Sequence, residues 1–327
     1  MKKFMNGVDD MLRESLNGFA HCHRDLVTLD PEYRFVRRAR TTPGKVALIS
    51  GGGSGHEPLH IGFVGLGMLD AACPGQIFTS PTPDQMIAAA EAVDGGAGVL
   101  FIVKNYEGDT MHFAMAAELL GERAATVIVD DDVAVEKSAF SIGRRGVAGT
   151  VVVEKILGAA AERGESLGAL AELAARVSAV TRSMGVALTS CTVPAAGRPT
   201  FELGETEMEM GVGIHGEAGR RRVPLRSAHD IVAELVEAIV NDLGTQTRGD
   251  ALLLLNGFGA TPASELYLMY DAARRALGKR GIDLQRSLVG NFVTALDMGG
   301  CSITVTLLDE PLMALWDGPV HAPALRW

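Results

Sequence analysis

Residues 45–58 read KVALISGGGSGHEP, a pattern that is typical of a strand followed by a glycine loop in an α/β fold. Residues 45–50 form a short apolar run with β-branched side chains, which predicts a buried strand. The run ends in a glycine loop with His56 at its rim, and glycines allow backbone amides to close around a small polar ligand. We therefore predict that a strand delivers a binding loop to one edge of a sheet.

Three known motifs do not fit this loop. The dinucleotide fingerprint would need glycine where His56 stands, and no Gly-Lys pair in the chain has the spacing of a P-loop. Residues 56–60 spell the zinc-protease pattern HExxH, but that site needs both histidines on one continuous helix. Proline is favoured only in the first helical turn, so a helix containing Pro58 would begin there and would leave His56 outside it. We expect no metal site in this chain.

Strands alternate with helices through the whole sequence, which predicts an α/β fold. The predicted strands lie at 98–103, 124–129, 186–188, 251–256, 288–289 and 303–308. The predicted helices lie at 8–21, 83–93, 227–243 and 262–278, with two alanine-rich helices between 147 and 184. Thr82 is placed to cap the helix that Pro83 begins. We expect two α/β domains with mixed sheets flanked by helices, comprising residues 1–184 and 185–327.

Composition excludes several classes of protein. The 327 residues are 47% hydrophobic and 21% charged, which is typical of a globular enzyme. A formal charge of −10 argues against a nucleic-acid ligand. No apolar run is long enough for a membrane span, and the start lacks a signal-peptide core, so we expect a cytoplasmic protein. Four widely spaced cysteines predict neither a zinc cage nor a disulfide framework.

Polar residues follow the predicted strand at 98–103, in the order KNYEGD at 104–109. Ligands of open α/β sheets bind outside the carboxyl ends of the strands, so His56 and Asp109 are expected to be neighbours in one crevice. Asp109 could instead cap a helix that starts near Thr110, and spacing alone favours the cap. The acidic run at 130–132 could bind magnesium, although a polar loop at a strand end explains it as well and is preferred.

Residues 211–217 read GVGIHGE and set His215 at the end of an apolar run between small residues. An exposed imidazole of this kind is either a nucleophile or a histidine in an ordinary surface loop, and the loop taken alone favours the surface-loop interpretation. The arginines at 220–222 leave two alternatives open, a solvated turn and an anion contact.

Six separated motifs, in this order, closely resemble the K subunit of dihydroxyacetone kinase. They lie at 50–58, 104–109, 130–135, 143–146, 191–195 and 213–217, and the C-terminal residues 316–325 extend the resemblance nearly from end to end. The resemblance implies the two-domain K-subunit fold, a homodimer and phosphorylation of a short ketose. It also implies that His215 attacks the substrate carbonyl and holds the ketose as a covalent hemiaminal.

The same resemblance assigns roles to residues in the first half of the chain. His56 and Asp109 match the acid–base pair, and the residues that match the substrate pocket are Gly53, Ser54, Gly55, His56, Lys104 and Asp109. A neutral imidazole can add to a ketone without a metal, which suits this assignment. Ala218 departs from the family pattern, where proline is more usual, and this difference bears on the stiffness of the loop and on the size of the sugar.

The sequence has no nucleotide-binding motif. We therefore expect no cofactor on this chain, and the resemblance implies a separate L-type subunit that carries ADP or ATP with magnesium. Whether the ultimate donor is ATP or a phosphotransferase-system protein stays open. So does the choice among dihydroxyacetone, the four-carbon ketose erythrulose, and a regulatory protein that senses ketones without passing phosphate.

Overall fold

The structure, a computed structural model, describes residues 2–135, 143–244 and 248–327. It divides into two compact units. The glycine-loop unit comprises residues 2–129, 150–176 and 314–327, and the histidine-loop unit comprises the described residues of 130–149 and 177–313. Each unit has a mixed sheet flanked by helices, so the predicted fold class is confirmed.

The two units differ from the predicted division at residue 184. The described residues of 130–149, together with residues 177–184, group with the histidine-loop unit, and residues 314–327 return to the glycine-loop unit. The return is fixed by local contacts, since Lys155 Nζ donates to the Leu315 carbonyl at 3.0 Å and stands 5.5 Å from the ring centre of Trp327. One domain boundary at residue 184 cannot describe this chain, because its C-terminal residues belong to the glycine-loop unit.

The glycine-loop unit is built on a six-stranded sheet of order β1-β2-β4-β3-β5-β6. Its strands are β1 Val27–Leu29, β2 Val36–Arg38, β3 Ala47–Ser54, β4 Ala71–Ile77, β5 Val99–Lys104 and β6 Ala124–Val129. Its helices are α1 Met11–Cys22, α2 Pro83–Val93 and α3 Glu107–Leu120. Strands β4, β3, β5 and β6 run parallel, so their carboxyl ends share one edge.

Two local predictions for this unit have definite outcomes. Helix α2 begins at Pro83 with Thr82 as N-cap and a capping box to Gln85, as predicted. Strand β3 does not end at Ser50 but continues through Ser54, because the glycines pair in parallel with β4. The glycine loop is therefore partly strand.

Helices α4 Gly149–Glu162 and α5 Leu167–Ala179 follow the acidic run. Ser166 accepts from the backbone amide of Ala169 at the start of α5, in agreement with its predicted capping role. The second helix was predicted to reach Met184, and that boundary is wrong. Thr181 begins a strand instead, since residues from Thr181 onward pair with a neighbouring strand.

The histidine-loop unit has a six-stranded sheet of order β11-β10-β12-β7-β8-β9. Its strands are β7 Thr181–Ala187, β8 Glu207–Met210, β9 Arg221–Pro224, β10 Gly249–Gly257, β11 Ile282–Gly290 and β12 Gly300–Leu307. Its helices are α6 Ala228–Leu243 and α7 Ala263–Lys279, and α8 Glu310–Trp316 follows β12. The apolar faces of α6 and α7 pack with the central strands in one core.

Within the described ranges, none of the helices combines the length and the apolar character that a membrane crossing requires.

Candidate active site

Glycines in β3 let two other segments approach the strand closely. A Cβ atom on Gly53 would lie 2.5 Å from the backbone nitrogen of Thr79, and one on Gly52 would collide with Lys104 Nζ. Any larger residue would push these segments away. The glycine run therefore brings the end of β5 and the loop before α2 against the end of β3.

Lys104 lies at the carboxyl end of β5 and is fully buried. Its Nζ atom donates to the Gly51 carbonyl at 3.1 Å, contacts His60 Nε2 at 2.9 Å and forms an ion pair with Asp109 Oδ2 at 3.4 Å. The resemblance implied that Lys104 lines a substrate pocket. The structure shows an ammonium group that the protein's own acceptors surround and hold beside Asp109.

Asp109 is 2% exposed and lies in the first turn of α3. The helix begins at Glu107 with Tyr106 as the N-cap residue, so the prediction that Asp109 caps a helix starting near Thr110 is wrong. Its Oδ1 atom accepts a hydrogen bond from the Ser80 hydroxyl. A carboxylate at this end of a helix is favoured by the helix dipole. Asp109 is thus a buried carboxylate held between an ammonium group, a hydroxyl and a helix start.

Ser80 was not identified from the sequence. It lies between β4 and α2, 29 residues before its partner Asp109. A Cβ atom on Gly108 would lie 2.8 Å from Ser80 Oγ, so the glycine at 108 makes room for this contact. The signal available in the sequence was the small residue one position before Asp109.

His56 is fully buried rather than at the rim of a loop. Its ring stacks on Phe78, with ring centres 5.1 Å apart and an interplanar angle of 23°. Two of its neighbours in the predicted pocket form hydrogen bonds within the protein. Ser54 Oγ donates to the Gly75 carbonyl at 2.7 Å, and the Gly55 amide donates to Glu57 Oε2 at 2.9 Å. The hydrogen bonds therefore stabilise the loop, and stacking on Phe78 fixes the plane of the imidazole.

His56 and His60 do not share a helix, as the rejection of the zinc pattern requires. Residues 56–60 form a bend and turn, and a short 3-10 turn follows at Ile61–Phe63. His60 instead contacts Glu154 Oε1 through Nδ1 at 2.7 Å. Over the described ranges, no cluster of three or more His, Cys, Asp or Glu side chains has the arrangement of a metal site.

His215 is half-buried in the histidine-loop unit. Its backbone nitrogen donates to Glu217 Oε2 at 2.9 Å, and Arg145 Nη1 donates to Glu217 Oε1 at 2.8 Å. A second arm of Arg145 donates to the Gly211 carbonyl at 2.8 Å. Arg145 thus joins both ends of the loop that carries His215, and the exposed Ala218 takes no part in these bonds.

Two glycines of the His215 loop are required by close contacts. A Cβ atom on Gly213 would overlap Glu217 Oε1, and one on Gly216 would lie 2.6 Å from Cys191 Sγ. Gly216 also has φ +74°, a conformation that favours glycine. These two glycines therefore leave room for the turn and for the ion pair between Glu217 and Arg145.

The carboxylates of Asp131 and Asp132, in the acidic run after β6, bind groups of the protein itself. Asp131 accepts from the backbone amides of Val147 and Gly149 at 2.8 and 2.7 Å, next to the start of α4. Asp132 pairs with Arg145 at 2.6 Å. Burial raises the pKa of Asp132 to about 6, and the arginine opposes this shift. These contacts support the loop interpretation over the magnesium interpretation.

The arginines at 220–222 form neither a plain solvated turn nor a free cationic patch. Arg221 and Arg222 begin β9. Arg221 forms an ion pair with Glu234, and Arg222 Nε lies 3.5 Å from Glu209 Oε2. The two guanidinium groups are committed to carboxylates of their own unit.

Each unit has a mixed sheet flanked by helices, and buried polar residues lie where the parallel strands of the glycine-loop unit end, so the chain is an α/β protein with a candidate active site at that edge. The sequence matches the Dak1 domain over residues 17–324, and the chain belongs to the Dak1 domain family. The predicted likeness to the dihydroxyacetone kinase K subunit is thereby confirmed. Kinases of this family are phosphotransferases with an alcohol group as acceptor, which is the enzyme class of the chain.

Three comparisons describe its similarity to known proteins. The chain is 48% identical to the dihydroxyacetone-binding subunit DhaK of the PEP-dependent dihydroxyacetone kinase of Escherichia coli (strain K12), covering 100% of this chain and 99% of that protein. It is similar to the structure of a dihydroxyacetone kinase operon co-activator, with a TM-score of 0.90, 35% identity and coverage of 95% and 97%. It is also similar to the dihydroxyacetone kinase of C. freundii in complex with AMP-PNP and Mg2+, with a TM-score of 0.88, 35% identity and coverage of 99% and 61%.

Proposed function

We propose that this chain is the substrate-binding subunit of a dihydroxyacetone kinase, which holds the ketose as a covalent hemiaminal on His215. The observation that carries the proposal is the buried carboxylate of Asp109, held by Lys104 and Ser80 as a general base would be. Asp109 lies at the edge where parallel strands end, which is where ligands of open α/β sheets bind, so this carboxylate stands where a general base would be needed.

Capture of the ketose is an addition in which nothing leaves. The unprotonated ring nitrogen of His215 bonds to the carbonyl carbon, and the π electrons of the carbonyl move to its oxygen. That oxygen gains a proton from His56, the other ring nitrogen of His215 releases its proton to water, and water returns a proton to His56, so the addition is neutral overall. The stacked position of His56 on Phe78 would fix the direction of its proton.

Phosphoryl transfer follows on the captured substrate. The terminal hydroxyl of the ketose attacks the phosphorus of the donor, and Asp109 accepts the hydroxyl proton as the new bond forms. With ATP as the donor, the bond from this phosphorus to the bridging oxygen would break and ADP would stay on the donor subunit. A base of this kind contributes ~10²- to 10⁴-fold, and the covalent anchor contributes by holding the hydroxyl in line. Gly53, Ser54, Gly55 and Lys104 shape the site around this hydroxyl.

The phosphoryl donor is proposed to arrive on a separate L-type subunit that carries ADP or ATP with magnesium. The E. coli relative is named as one subunit of a kinase and matches this chain over 99% of its own length. The C. freundii kinase that was solved with AMP-PNP and Mg2+ is longer, and this chain covers 61% of it. These two facts support a donor site outside the present chain.

The homodimer and the cytoplasmic location that the sequence predicted belong to the same proposal. Light scattering on the purified chain tests the dimer, because it reports either twice the chain mass of 34.5 kDa or a single chain. Cell fractionation tests the location.

The direct test uses intact-mass measurement after incubation with dihydroxyacetone. We expect a mass increase equal to that of the whole ketose, since addition releases no group, and we expect His215→Ala to abolish it. Turnover with the donor subunit then compares dihydroxyacetone with erythrulose. An unchanged mass increase in His215→Ala overturns the covalent role.

A ketone-sensing regulatory protein is the second candidate, favoured by the similarity to an operon co-activator at 35% identity. A sensor needs only capture and has no use for a base. The pairing of Asp109 with Lys104 and Ser80 supports the kinase. A protein that forms the adduct and never transfers phosphate from the donor subunit would favour the sensor.

A further inference from the structure

A buried row of polar side chains runs behind Asp109 in the glycine-loop unit. Glu154 on α4 contacts His60 before the 3-10 turn, and His60 contacts Lys104 at the end of β5. The three side chains are 0%, 5% and 0% exposed, respectively. Burying three titratable groups is costly unless they satisfy one another, so this row calls for an explanation beyond packing.

The contacts determine where the protons are. The Lys104 ammonium group has three N–H donors, and Gly51 O, His60 Nε2 and Asp109 Oδ2 surround it. His60 Nε2 must then be an unprotonated acceptor. A neutral imidazole carries its proton on the other nitrogen, so Nδ1–H donates to Glu154 Oε1.

The electrostatic environment agrees with this arrangement. Burial lowers the pKa of His60 well below its ordinary value, and the charges of Lys104 and His56 lower it further, so the ring is neutral. Burial raises the pKa of Glu154 to about 8, and the charge of Lys104 opposes this shift. Near neutral pH the acceptor on Glu154 is then largely the carbonyl oxygen of an acid, which an amide can replace.

We propose that His60, oriented by Glu154, is a positioning residue that holds the Lys104 ammonium group beside Asp109. The proposal rests on the proposed function, in which Asp109 is the general base. Gly51 and His60 take two of the ammonium hydrogens, which turns the third toward the carboxylate 3.4 Å away. The missing side chain of Gly52 leaves the room in which Lys104 Nζ sits.

Glu154 sets which nitrogen of His60 faces the lysine. With an acceptor at Nδ1, the ring presents a lone pair to Lys104; without one, the ring can present N–H, which repels the ammonium group. An oxygen acceptor at position 154 is therefore the requirement, and its negative charge is not. This distinguishes the row from a plain buried ion pair.

A matched pair of His60 variants tests the positioning role. His60→Gln carries an amide oxygen to about the place of Nε2, whereas His60→Asn stops short of Lys104. A displacement of about 1 Å can cost ~10²-fold in rate, so we expect kcat with the donor subunit to fall about 10- to 100-fold in His60→Asn. We expect His60→Gln to restore most of it. Adduct formation on His215 should stay unchanged in both.

The tautomer can be measured on the chain alone, without substrate or donor. Nitrogen-15 NMR of the His60 ring should show the Nδ1–H form in the wild type and in Glu154→Gln, and a loss of that form in Glu154→Met. An Nε2–H ring in the wild type overturns the proposal, as does wild-type kcat in a folded His60→Asn protein. Failure of the proposed function would be seen separately, as an adduct that survives His215→Ala or turnover that survives Asp109→Asn.

Discussion

Arg145 Nη1 donates to Glu217 Oε1 at 2.8 Å, and this ion pair fastens the loop that carries His215. The other oxygen of Glu217 accepts from the His215 backbone amide at 2.9 Å, so one carboxylate links the guanidinium group to the proposed nucleophile. The link explains how the loop keeps its shape with alanine at position 218. It also makes the carboxylate of Glu217 a sensitive point for capture of the ketose.

We expect Glu217→Ala to slow adduct formation about 10-fold, because hydrogen bonds to charged groups contribute ~1.5–3 kcal/mol and about 1.4 kcal/mol is a tenfold rate. Stopped incubation with dihydroxyacetone followed by intact-mass measurement gives the rate. The control is Asp271→Ala, which removes an exposed carboxylate paired with Arg274 and Arg275 on α7. Equal rates in the two variants would show that the loop does not depend on Glu217.

Ser80→Ala removes the hydroxyl that donates to Asp109 Oδ1. Loss of one hydrogen bond to a carboxylate of the proposed base predicts a fall in kcat of about 10-fold with little change in adduct formation. Ser166→Ala, at the exposed start of α5, is the matched control. If Ser80→Ala has the same kcat as Ser166→Ala, the hydrogen bond from the Ser80 hydroxyl does not contribute to catalysis.

Asp109→Asn keeps the shape of the side chain and removes its ability to accept a proton. We expect the adduct on His215 to form as in the wild type and phosphorylation to fall ~10²- to 10⁴-fold. Single-turnover assays with the donor subunit separate the two steps. Turnover within a few-fold of the wild type would rule out Asp109 as the base.

The buried carboxyl of Glu154 predicts a pH dependence of stability. Its pKa is raised by burial from 4.5 to about 8, so between these pH values the folded protein binds more protons than the unfolded chain. Its contribution therefore makes folding less favourable as pH rises through this window, by at most about 1.4 kcal/mol per pH unit. Glu154→Gln cannot titrate and should gain in Tm relative to the wild type between about pH 5 and pH 8.

The control for that titration is Glu172→Gln, at an exposed position on α5. Its Tm should follow the wild type over the same pH range. A Glu154→Gln protein that also follows the wild type would show that Glu154 titrates alike in the folded and unfolded states.

Sequence patterns predicted the elements whose start or strand character is determined by the side chains of one short segment. The run at 45–50 is apolar and β-branched, and Thr82 with Pro83 forms a helix start, so both were recognisable. Strand β4 was missed because Pro74 and Gly75 interrupt its apolar pattern, and it is held in place by pairing with β3. Pairing with a distant strand leaves no local signal.

The candidate site shows the same limit. Motifs identified His56, Lys104 and Asp109, because these lie in short stretches that follow strands. His60 and Glu154 are 94 residues apart, and only the folded chain brings α4 to the residue before the 3-10 turn. The sequence marked His60 solely as part of a zinc pattern that its local structure rules out.

The proposed function depends on a covalent bond between His215 and a ketose. A crystal soaked with dihydroxyacetone tests it most directly, through the electron density between the imidazole and the substrate carbon. A hemiaminal would give continuous density from a ring nitrogen of His215 to a tetrahedral carbon of the ketose. Well-ordered ketose separated from the ring by a van der Waals gap would contradict it.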